Sequence, residues 1–192
     1  MIAGMRTRRK GVIVASINGI SLRSIKSTKD HDGITIYNAA VYVDGKRSGT
    51  WAQSYYSNND QYEPEGLYGT IKERAGRFAQ GFPKGSWQAP VAGEPDVFMG
   101  ALRELAYDEK IYKKIASSGY PTVVFVQDRT HYSAEGYTES LEEVKTNPDI
   151  LEKLTDGFSK SKLRVYCHDS LKSFDVTVDK EHPVPERFIK VM

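Results

Sequence analysis

The sequence of 192 residues contains a single cysteine, Cys167, so an internal disulfide is excluded. Its few histidines and this cysteine have none of the spacings of a zinc finger. A lone thiol is typical of a reducing compartment, and a chain of this length buries enough surface to fold without crosslinks. These absences predict a cytoplasmic protein with its own hydrophobic core.

Long apolar runs are also lacking. No stretch approaches the roughly 18 apolar residues of a membrane helix, and the basic segment 1–10 is not followed by the apolar core of a secretory signal. We therefore expect no membrane partner. Neither sign of charge dominates, because 27 basic and 25 acidic side chains leave a formal charge of +2. This balance argues neither for nor against a polyanionic partner.

Familiar catalytic motifs are missing as well. The sequence has no HExxH, P-loop, nucleophile elbow or Rossmann glycine fingerprint. These absences favour a binding protein over an enzyme and leave one group of acids and histidines to be weighed as a catalytic site. No cofactor is expected, apart from a divalent metal if that group is catalytic.

The strongest local signal in the chain is a hairpin in its first third. Residues 34–43 and 46–56 both have strand-like composition, and they flank Asp44 and Gly45. This pair tolerates the positive φ angles that a two-residue hairpin turn requires. The pattern predicts two antiparallel strands joined by a tight turn.

A similar pattern precedes this hairpin. Residues 11–17 and 20–25 are strand candidates on either side of Asn18 and Gly19. The pair fits a second tight turn, and it fits equally well a bend in one long strand. Taken together, these patterns predict an antiparallel hairpin sheet over residues 11–57.

The central part, residues 64–118, is predicted to be helical. Its first helix has apolar residues at steps of three and four. A second helix, with Asp96 as its N-cap, carries an apolar stripe along its length. Between the helices, residues 80–95 are punctuated by Gly and Pro, and loops of this length tend to be functional or flexible. The loop carries Trp87.

The C-terminal part, residues 120–180, predicts a β-α-β unit. It consists of a strand, a helical stretch divided at Asn147-Pro148, and a second strand, over residues 122–127, 138–158 and 162–167. The first strand is almost continuously apolar, which suits a strand covered on both faces. Residues 173–179 are either a hairpin partner of the second strand or an edge strand.

These elements predict a single α+β or α/β domain over residues 11–182, and the N- and C-terminal strands can share one mixed sheet. Residues 1–10 are expected to form a flexible basic segment. Residues 183–192 contain two prolines and are predicted to be an extended tail.

The two strands of the β-α-β unit are followed by acidic and imidazole side chains. If these strands are adjacent and parallel, their carboxyl ends meet at one edge of the sheet, where ligands commonly bind. The residues that would converge there are Asp128, His131, His168 and Asp169. Such a group can bind a divalent metal or transfer protons near neutral pH, as in a metal-dependent hydrolase or nuclease. The alternative is ordinary hydrogen bonding in turns at strand ends.

A second candidate site combines aromatic and basic side chains of the hairpin with Trp87. Exposed side chains of these types can bind a protein or can stack on bases and hold phosphates. Alternatively, the aromatic rings pack in the core and the cations are merely solvated. The residues are Tyr42, Lys46, Arg47, Trp51, Tyr55, Tyr56 and Trp87.

The segment 16–51 contains a strand, a polar loop and the hairpin Tyr42-Val43-Asp44-Gly45-Lys46, followed by Gly49. It resembles a stretch that recurs in small uncharacterised proteins of phages and other mobile elements. Proteins of that kind often act by binding, since they occlude or divert a host enzyme or defence complex. The resemblance implies origin and manner of action, and it carries over no catalytic residue.

Our preferred interpretation is therefore a cytoplasmic binding protein of phage or mobile-element type. It would act through protein contact, with inhibition of a host enzyme as one outcome and nucleic acid as another class of partner. The metal-dependent hydrolase or nuclease is the alternative.

Overall fold

The computed structural model describes residues 15–54, 60–128, 131–156, 158 and 163–188. Within them the chain has the mixed α+β content that the sequence predicts, with two sheets and five helices. The strands are β1 Ser16–Ile17, β2 Ile20–Lys29, β3 Thr35–Val43, β4 Lys46–Ala52, β5 Gln61–Glu63, β6 Thr122–Gln127, β7 Tyr132–Tyr137, β8 Arg164–His168 and β9 Asp175–Val176. The helices are α1 Gly66–Gln80, α2 Gln88–Ala92, α3 Pro95–Ala116, α4 Leu141–Thr146 and α5 Pro148–Thr155. The predicted flexible segment 1–10 lies outside the described residues.

The larger sheet is built from hairpins and has the strand order β5-β4-β3-β2-β1-β9. Asp44 and Gly45 have φ angles of 47° and 79°, so they form the predicted two-residue turn between β3 and β4. Asn18 and Gly19, at 50° and 78°, form the same kind of turn between β1 and β2. The hairpin prediction is confirmed, and the second pair is a turn rather than a bend.

Helices α1 and α3 cover the inner face of this sheet because each carries an apolar stripe. The buried residues are Leu67, Ile71, Ala75 and Phe78 in α1, and Phe98, Met99, Leu102 and Leu105 in α3. Helix α3 contacts β1 and β2 in the large sheet and β6 and β7 in the small one. It is therefore the central element that joins the two sheets into one core.

Strand β6 is buried on both faces, as its apolar run predicts. Val123 and Phe125 belong to the main core, whereas Val124 and Val126 form a second cluster with apolar residues of α4 and α5. Cys167 of β8 packs against this second cluster. The small sheet thus lies between α3 on one side and α4 and α5 on the other.

The predicted direction of β8 is wrong. It lies beside β6 as expected, but the two strands are antiparallel, with Val123 opposite His168 and Gln127 opposite Arg164. The strand order is β7-β6-β8, and β7 is also antiparallel to β6. Strands β7 and β8 consequently run in the same direction. A β-α-β unit exists, but its first strand is β7.

Strand β7 was not predicted because it includes Ala134, Glu135 and Gly136, which are poor strand formers. The tertiary fold requires the glycine. A Cβ atom at position 136 would lie 2.4 Å from Ile115 Cγ2 and 2.6 Å from Tyr120 Cβ, so only a glycine allows this close approach. Packing against the end of α3 therefore outweighs local propensity here.

The C-terminal segment 183–188 is packed, which corrects the prediction of an extended tail. The amide of Val184 donates to the carbonyl of Gly81 at 2.9 Å. The ring of Phe188 meets that of Phe78 edge-on, with centroids 5.2 Å apart. Arg187 is only 5% exposed. Residues 189–192 lie outside the described part of the chain.

Strand β9 settles the question left open for residues 173–179. Only Asp175–Val176 is a strand, and it pairs with β1 in parallel rather than with β8. The N- and C-terminal parts of the chain therefore share one mixed sheet. The remaining C-terminal strand, β8, belongs to the separate small sheet.

The beginning of α3 differs from the prediction by two residues. Pro95 is its first residue and Glu94 is its N-cap, so Asp96 lies inside the first turn instead of capping it. Proline is favoured there because its missing N–H is not needed, and a carboxylate in the first turn interacts well with the helix dipole. The preceding loop, residues 80–95, contains the short helix α2.

The helical stretch after β7 divides at Asn147-Pro148, as predicted. Helix α4 begins with a reciprocal cap in which Ser140 and Glu143 bond each other's backbone amides. Asn147 then caps α5, since its Oδ1 accepts from the amide of Asp149 at 3.0 Å. Across the described residues, no helix combines the length and the apolar content that a bilayer crossing needs.

Candidate functional site

The predicted Asp/His group is divided between two ends of the small sheet. Asp128 follows β6, whereas His168 ends β8, which runs in the opposite direction. The partners of His168 and Arg164 are four residues apart on β6, so the two ends are separated by roughly 14 Å. The predicted convergence is wrong because it depended on parallel pairing. In the part of the chain that the structure describes, no three His, Cys, Asp or Glu side chains form a metal-binding group.

Asp128 and His131 lie close together and form a turn. The amide of His131 donates to Asp128 Oδ1 at 2.7 Å, and the amide of Asp128 donates to the carbonyl of His131 at 3.0 Å. The imidazole Nδ1 is 3.4 Å from Asp128 Oδ2. Both residues thus make hydrogen bonds of the kind that are usual in a hairpin turn, here the one between β6 and β7. Asp169, beside His168, is exposed.

His168 is buried in a polar network and is held in one tautomer. The guanidinium of Arg187 lies 3.0 Å from Nε2, and a guanidinium can only donate. Nε2 therefore accepts, and Nδ1 carries the proton that it donates to Ser173 Oγ at 2.7 Å. Ser173 in turn donates to the carbonyl of Ser170. Burial, and secondly the charge of Arg187, lower the pKa of His168 to about 3, so the ring is neutral.

Asp108 of α3 is the other end of this network. It is 3% exposed and forms an ion pair with Arg187, which is 5% exposed. Its Oδ1 accepts from the hydroxyl of Tyr132 at 2.7 Å, and its Oδ2 accepts from that of Tyr166 at 2.9 Å. Burial, and then the nearby Asp108 carboxylate, raise the pKa of both tyrosines. The network ties α3, both edges of the small sheet and the C-terminal segment together.

The depressed pKa of His168 predicts a loss of stability in acid. In the unfolded chain His168 is protonated below its ordinary pKa of about 6.5, whereas in the folded protein it stays neutral down to about pH 3. The free energy of unfolding therefore decreases as the pH falls from about 6.5 to about 3. At pH 5 the loss from this residue is expected to be about 2 kcal/mol. Urea unfolding of wild type and His168→Gln at pH 7, 6 and 5 measures it. The wild type should lose more stability than the variant.

His31 supplies the control for this experiment, because it is exposed. The variant His31→Gln should follow the wild-type pH profile. Equal slopes for the wild type and His168→Gln would contradict the assignment of a neutral, buried His168.

The hairpin residues of the second candidate site are separated by the fold. Trp51 is 2% exposed and belongs to the core, so its prediction as a binding residue is wrong. Tyr42 is half-buried, and the guanidinium of Arg23 lies 4.0 Å from its ring centre. Lys46 and Arg47 are exposed near the turn. Tyr55 and Tyr56 lie outside the described residues.

Trp87 is exposed, with 53% of its surface accessible. It borders a groove of about 280 Å³ between α2, α3 and the C-terminal segment. We call this feature the Trp87 groove and define it by Trp87, Val91, Val97, Gly100 and Phe188. Val91 and Val97 are 46% and 43% exposed, so three neighbouring apolar side chains face solvent.

The groove results from helical spacing on two elements. Trp87 and Val91 are four residues apart at α2, and Val97, Gly100 and Glu104 follow one another along one face of α3. The floor is shaped by Gly100, where an added Cβ would meet nothing within 4 Å. The side chain of Gln88 donates to the carbonyl of Phe188 at 3.3 Å and fixes α2 to the C-terminal segment.

Sequence reasoning missed most of these residues. Asp108 was detectable, because it interrupts the apolar stripe of α3 between Leu105 and Tyr112. Arg187 was not, since it lies in a segment with the composition of a tail. Val91 and Val97 appeared as ordinary apolar positions, and only the packing of α2 against α3 leaves them exposed.

Comparison with known proteins yields no relative: no family model matches the chain, and neither the curated proteins nor the solved structures contain a significant match.

Proposed function

We propose that this chain is a cytoplasmic binding protein that contacts another protein through the Trp87 groove. The observation that carries the proposal is the exposure of Trp87 beside two exposed valines and a concave apolar floor. Tryptophan is the side chain most enriched at the energetic centres of protein interfaces, and such centres lie in pockets. Contiguous exposed apolar groups on a soluble domain mark interaction surfaces.

The charges near the groove favour a basic partner segment. Glu94 and Glu104 are exposed acidic residues at two positions along α3 and its cap. Burial, and secondly the carboxylates of Asp60 and Glu94, raise the pKa of Asp96 between them. The one cation among the described residues of the lining, Arg164, already donates to Gln127 at 2.5 Å and to the carbonyl of Arg187 at 2.9 Å. We expect the partner to insert a bulky apolar side chain flanked by Lys or Arg.

The resemblance of residues 16–51 to proteins of phages and mobile elements suggests the class of partner. Proteins of that kind act on host enzymes and defence complexes, so we expect the apolar side chain to be presented by such a protein. The division of Asp128 and His131 from His168 and Asp169 removes the geometry on which the hydrolase alternative depended.

Two substitutions test the groove from opposite directions. Trp87→Ala removes the exposed anchor, and Gly100→Leu fills the floor without displacing core atoms. Each is expected to weaken partner binding by 30-fold or more, on the order of 2 kcal/mol. The partner is captured from host lysate with the wild-type chain and identified by mass spectrometry. Binding is then measured by calorimetry with both proteins purified.

Gly69→Leu is the matched control, because Gly69 also lies inside a helix, is exposed, and has open space where a Cβ would be. It should bind the purified partner like the wild type. A partner that binds Trp87→Ala and Gly100→Leu as tightly as the wild type would rule out the Trp87 groove as the site. Capture of a protein from lysate does not support the proposal unless Trp87→Ala and Gly100→Leu bind that protein more weakly than the wild type does.

A further inference from the structure

A second concave feature lies on another side of α3. A cleft of about 800 Å³ separates β2, α3 and the small sheet, and this volume is within the range of roughly 300–1,000 Å³ that is usual for small-molecule sites. We call it the Arg103 cleft and define it by six lining residues: Arg23, Ser24, Arg103, Tyr107, Lys110 and Tyr132. Only Glu104 lines both this cleft and the Trp87 groove.

The wall formed by β2 is irregular at the cleft. Arg23 pairs with Ala40 and Lys26 with Asn38, so β2 has one residue more than β3 in this interval. Ser24, inside this bulge, has a φ angle of 54°. Such an angle is unfavourable for a non-glycine residue outside a turn, and bulges and strained residues concentrate at binding sites.

The charges of the cleft leave an excess of cations. Of its three acidic residues, Asp108 is paired with Arg187, and Glu109 is paired with Lys113 at 2.5 Å. The third acidic residue is Glu104. Against this one carboxylate the lining contains three cations, Arg23, Arg103 and Lys110. None of these three has an ion pair with another described residue. The cleft therefore has the electrostatics of an anion site.

Both arginines are oriented without being neutralised. The guanidinium of Arg103 lies 4.3 Å from the ring centre of Tyr37, and that of Arg23 lies 4.0 Å from the ring centre of Tyr42. Contact with a ring face leaves the N–H groups at the edge of each guanidinium available. Arg23 Nε is buried, and no hydrogen-bond partner for it exists among the described residues. Tyr37 also lines the cleft, whereas Tyr42 follows the buried Val41 and lies on the other face of β3. Arg103 is therefore the guanidinium placed for a bidentate contact with phosphate.

Two aromatic rings, those of Tyr107 and Tyr132, line the same cleft as these cations. Tyr107 is 57% exposed, and its ring centre is 5.9 Å from that of Tyr132. The hydroxyl of Tyr132 is bonded to Asp108, which fixes the ring in the cleft wall. Tyr107 and Arg103 are four residues apart on α3, so an anion on Arg103 and a planar ring on Tyr107 can belong to one molecule.

We propose that the Arg103 cleft binds a nucleotide, with its phosphate on Arg103 and its base stacked on Tyr107. Stacking of a base on an exposed tyrosine tolerates any base identity, whereas the phosphate contacts require negative charge. The nucleotide can be free or can be a unit of single-stranded nucleic acid, because both offer the same chemistry. This inference does not depend on protein binding at the Trp87 groove.

The test is calorimetric titration of the full chain at low ionic strength with four ribonucleoside monophosphates, the matching nucleosides, inorganic phosphate and a short single-stranded oligonucleotide. Saturable binding of at least one monophosphate, with a Kd below about 1 mM, is expected. The matching nucleoside and phosphate should each bind at least tenfold more weakly. An oligonucleotide that competes with the monophosphate and binds more tightly identifies single-stranded nucleic acid as the source, whereas one that does not compete identifies the free nucleotide.

Variants locate the two contacts. Arg103→Ala should weaken monophosphate binding by tenfold or more, the usual effect of losing a charge-assisted hydrogen bond. Tyr107→Ala should weaken it by several-fold without changing the weak binding of inorganic phosphate. Tyr107 is more than half exposed, so its removal leaves the fold intact even if Arg103→Ala does not. Lys114→Ala removes an exposed cation of α3 outside the cleft and should have no effect.

The proposal is overturned if no nucleotide or oligonucleotide binds saturably, or if the nucleoside binds as tightly as the monophosphate. It is equally overturned if Arg103→Ala and Tyr107→Ala leave binding unchanged. Gly100→Leu, which fills the other groove, should not alter nucleotide affinity, so failure of either proposal is distinguishable from failure of the other.

Discussion

Replacing Asp108 with alanine is expected to lower the free energy of unfolding by about 3–5 kcal/mol, the usual cost of removing one partner of a buried ion pair. Arg187 would keep its charge in an environment where only 5% of the residue is exposed. The hydroxyls of Tyr132 and Tyr166 would also lose their acceptor. Urea unfolding at pH 7, followed by circular dichroism, measures the change.

Glu104→Ala is the matched control for this experiment, because it removes an exposed carboxylate from the same helix one turn earlier. It should change the stability by no more than about 0.5 kcal/mol. The double variant Asp108→Leu with Arg187→Met removes both charges together and should be more stable than Asp108→Ala. An Asp108→Ala protein as stable as Glu104→Ala would show that the buried ion pair does not exist in solution.

Truncation of Trp51 to alanine is expected to cost about 3–5 kcal/mol, the range for large aromatic side chains in a core. Trp51 packs between Ala39 and Tyr62 on neighbouring strands, and its Nε1 donates to Asp60 Oδ2 at 2.5 Å. The same change at Trp87, which is 53% exposed, should alter the stability by about 0.5 kcal/mol or less. Denaturant unfolding of both variants measures the difference.

Trp51→Phe separates packing from the hydrogen bond, because it keeps an aromatic ring in the core. Its expected cost is smaller, about 1–2 kcal/mol. Equal costs for Trp51→Ala and Trp87→Ala would contradict the assignment of one tryptophan to the core and the other to a binding surface.

Trp51 and Trp87 show what the local sequence pattern can and cannot predict. Both lie among polar residues and glycines, and the sequence made both of them candidate binding residues. Trp51 points inward because the pleat of β4 and its register with β3 put position 51 on the face beneath α1. A shift of one residue in that register would have exposed it. Register is a property of the paired strands, so residues 46–52 alone do not contain it.

In the small sheet, the direction of a strand is likewise not predicted by local sequence. The apolar run of β6 reports burial on both faces, and that prediction is confirmed by the two clusters on either side. Burial is the same for parallel and antiparallel neighbours, so the run contains no information on direction. The antiparallel pairing with β8 separates Asp128 from His168 and draws His168 into the network of Arg187 and Asp108.

The sequence by itself determined the features that depend on neighbouring residues. These are the turn at Asp44-Gly45, the division at Pro148 and the doubly covered strand β6. Each follows from the φ preferences or burial of a few consecutive side chains. The tertiary structure alone decided the direction of β8, the place of Arg187 and the two concave surfaces beside α3. Those depend on contacts between residues far apart in the chain, such as Arg187 with Asp108, 79 positions away, and no local pattern encodes such contacts.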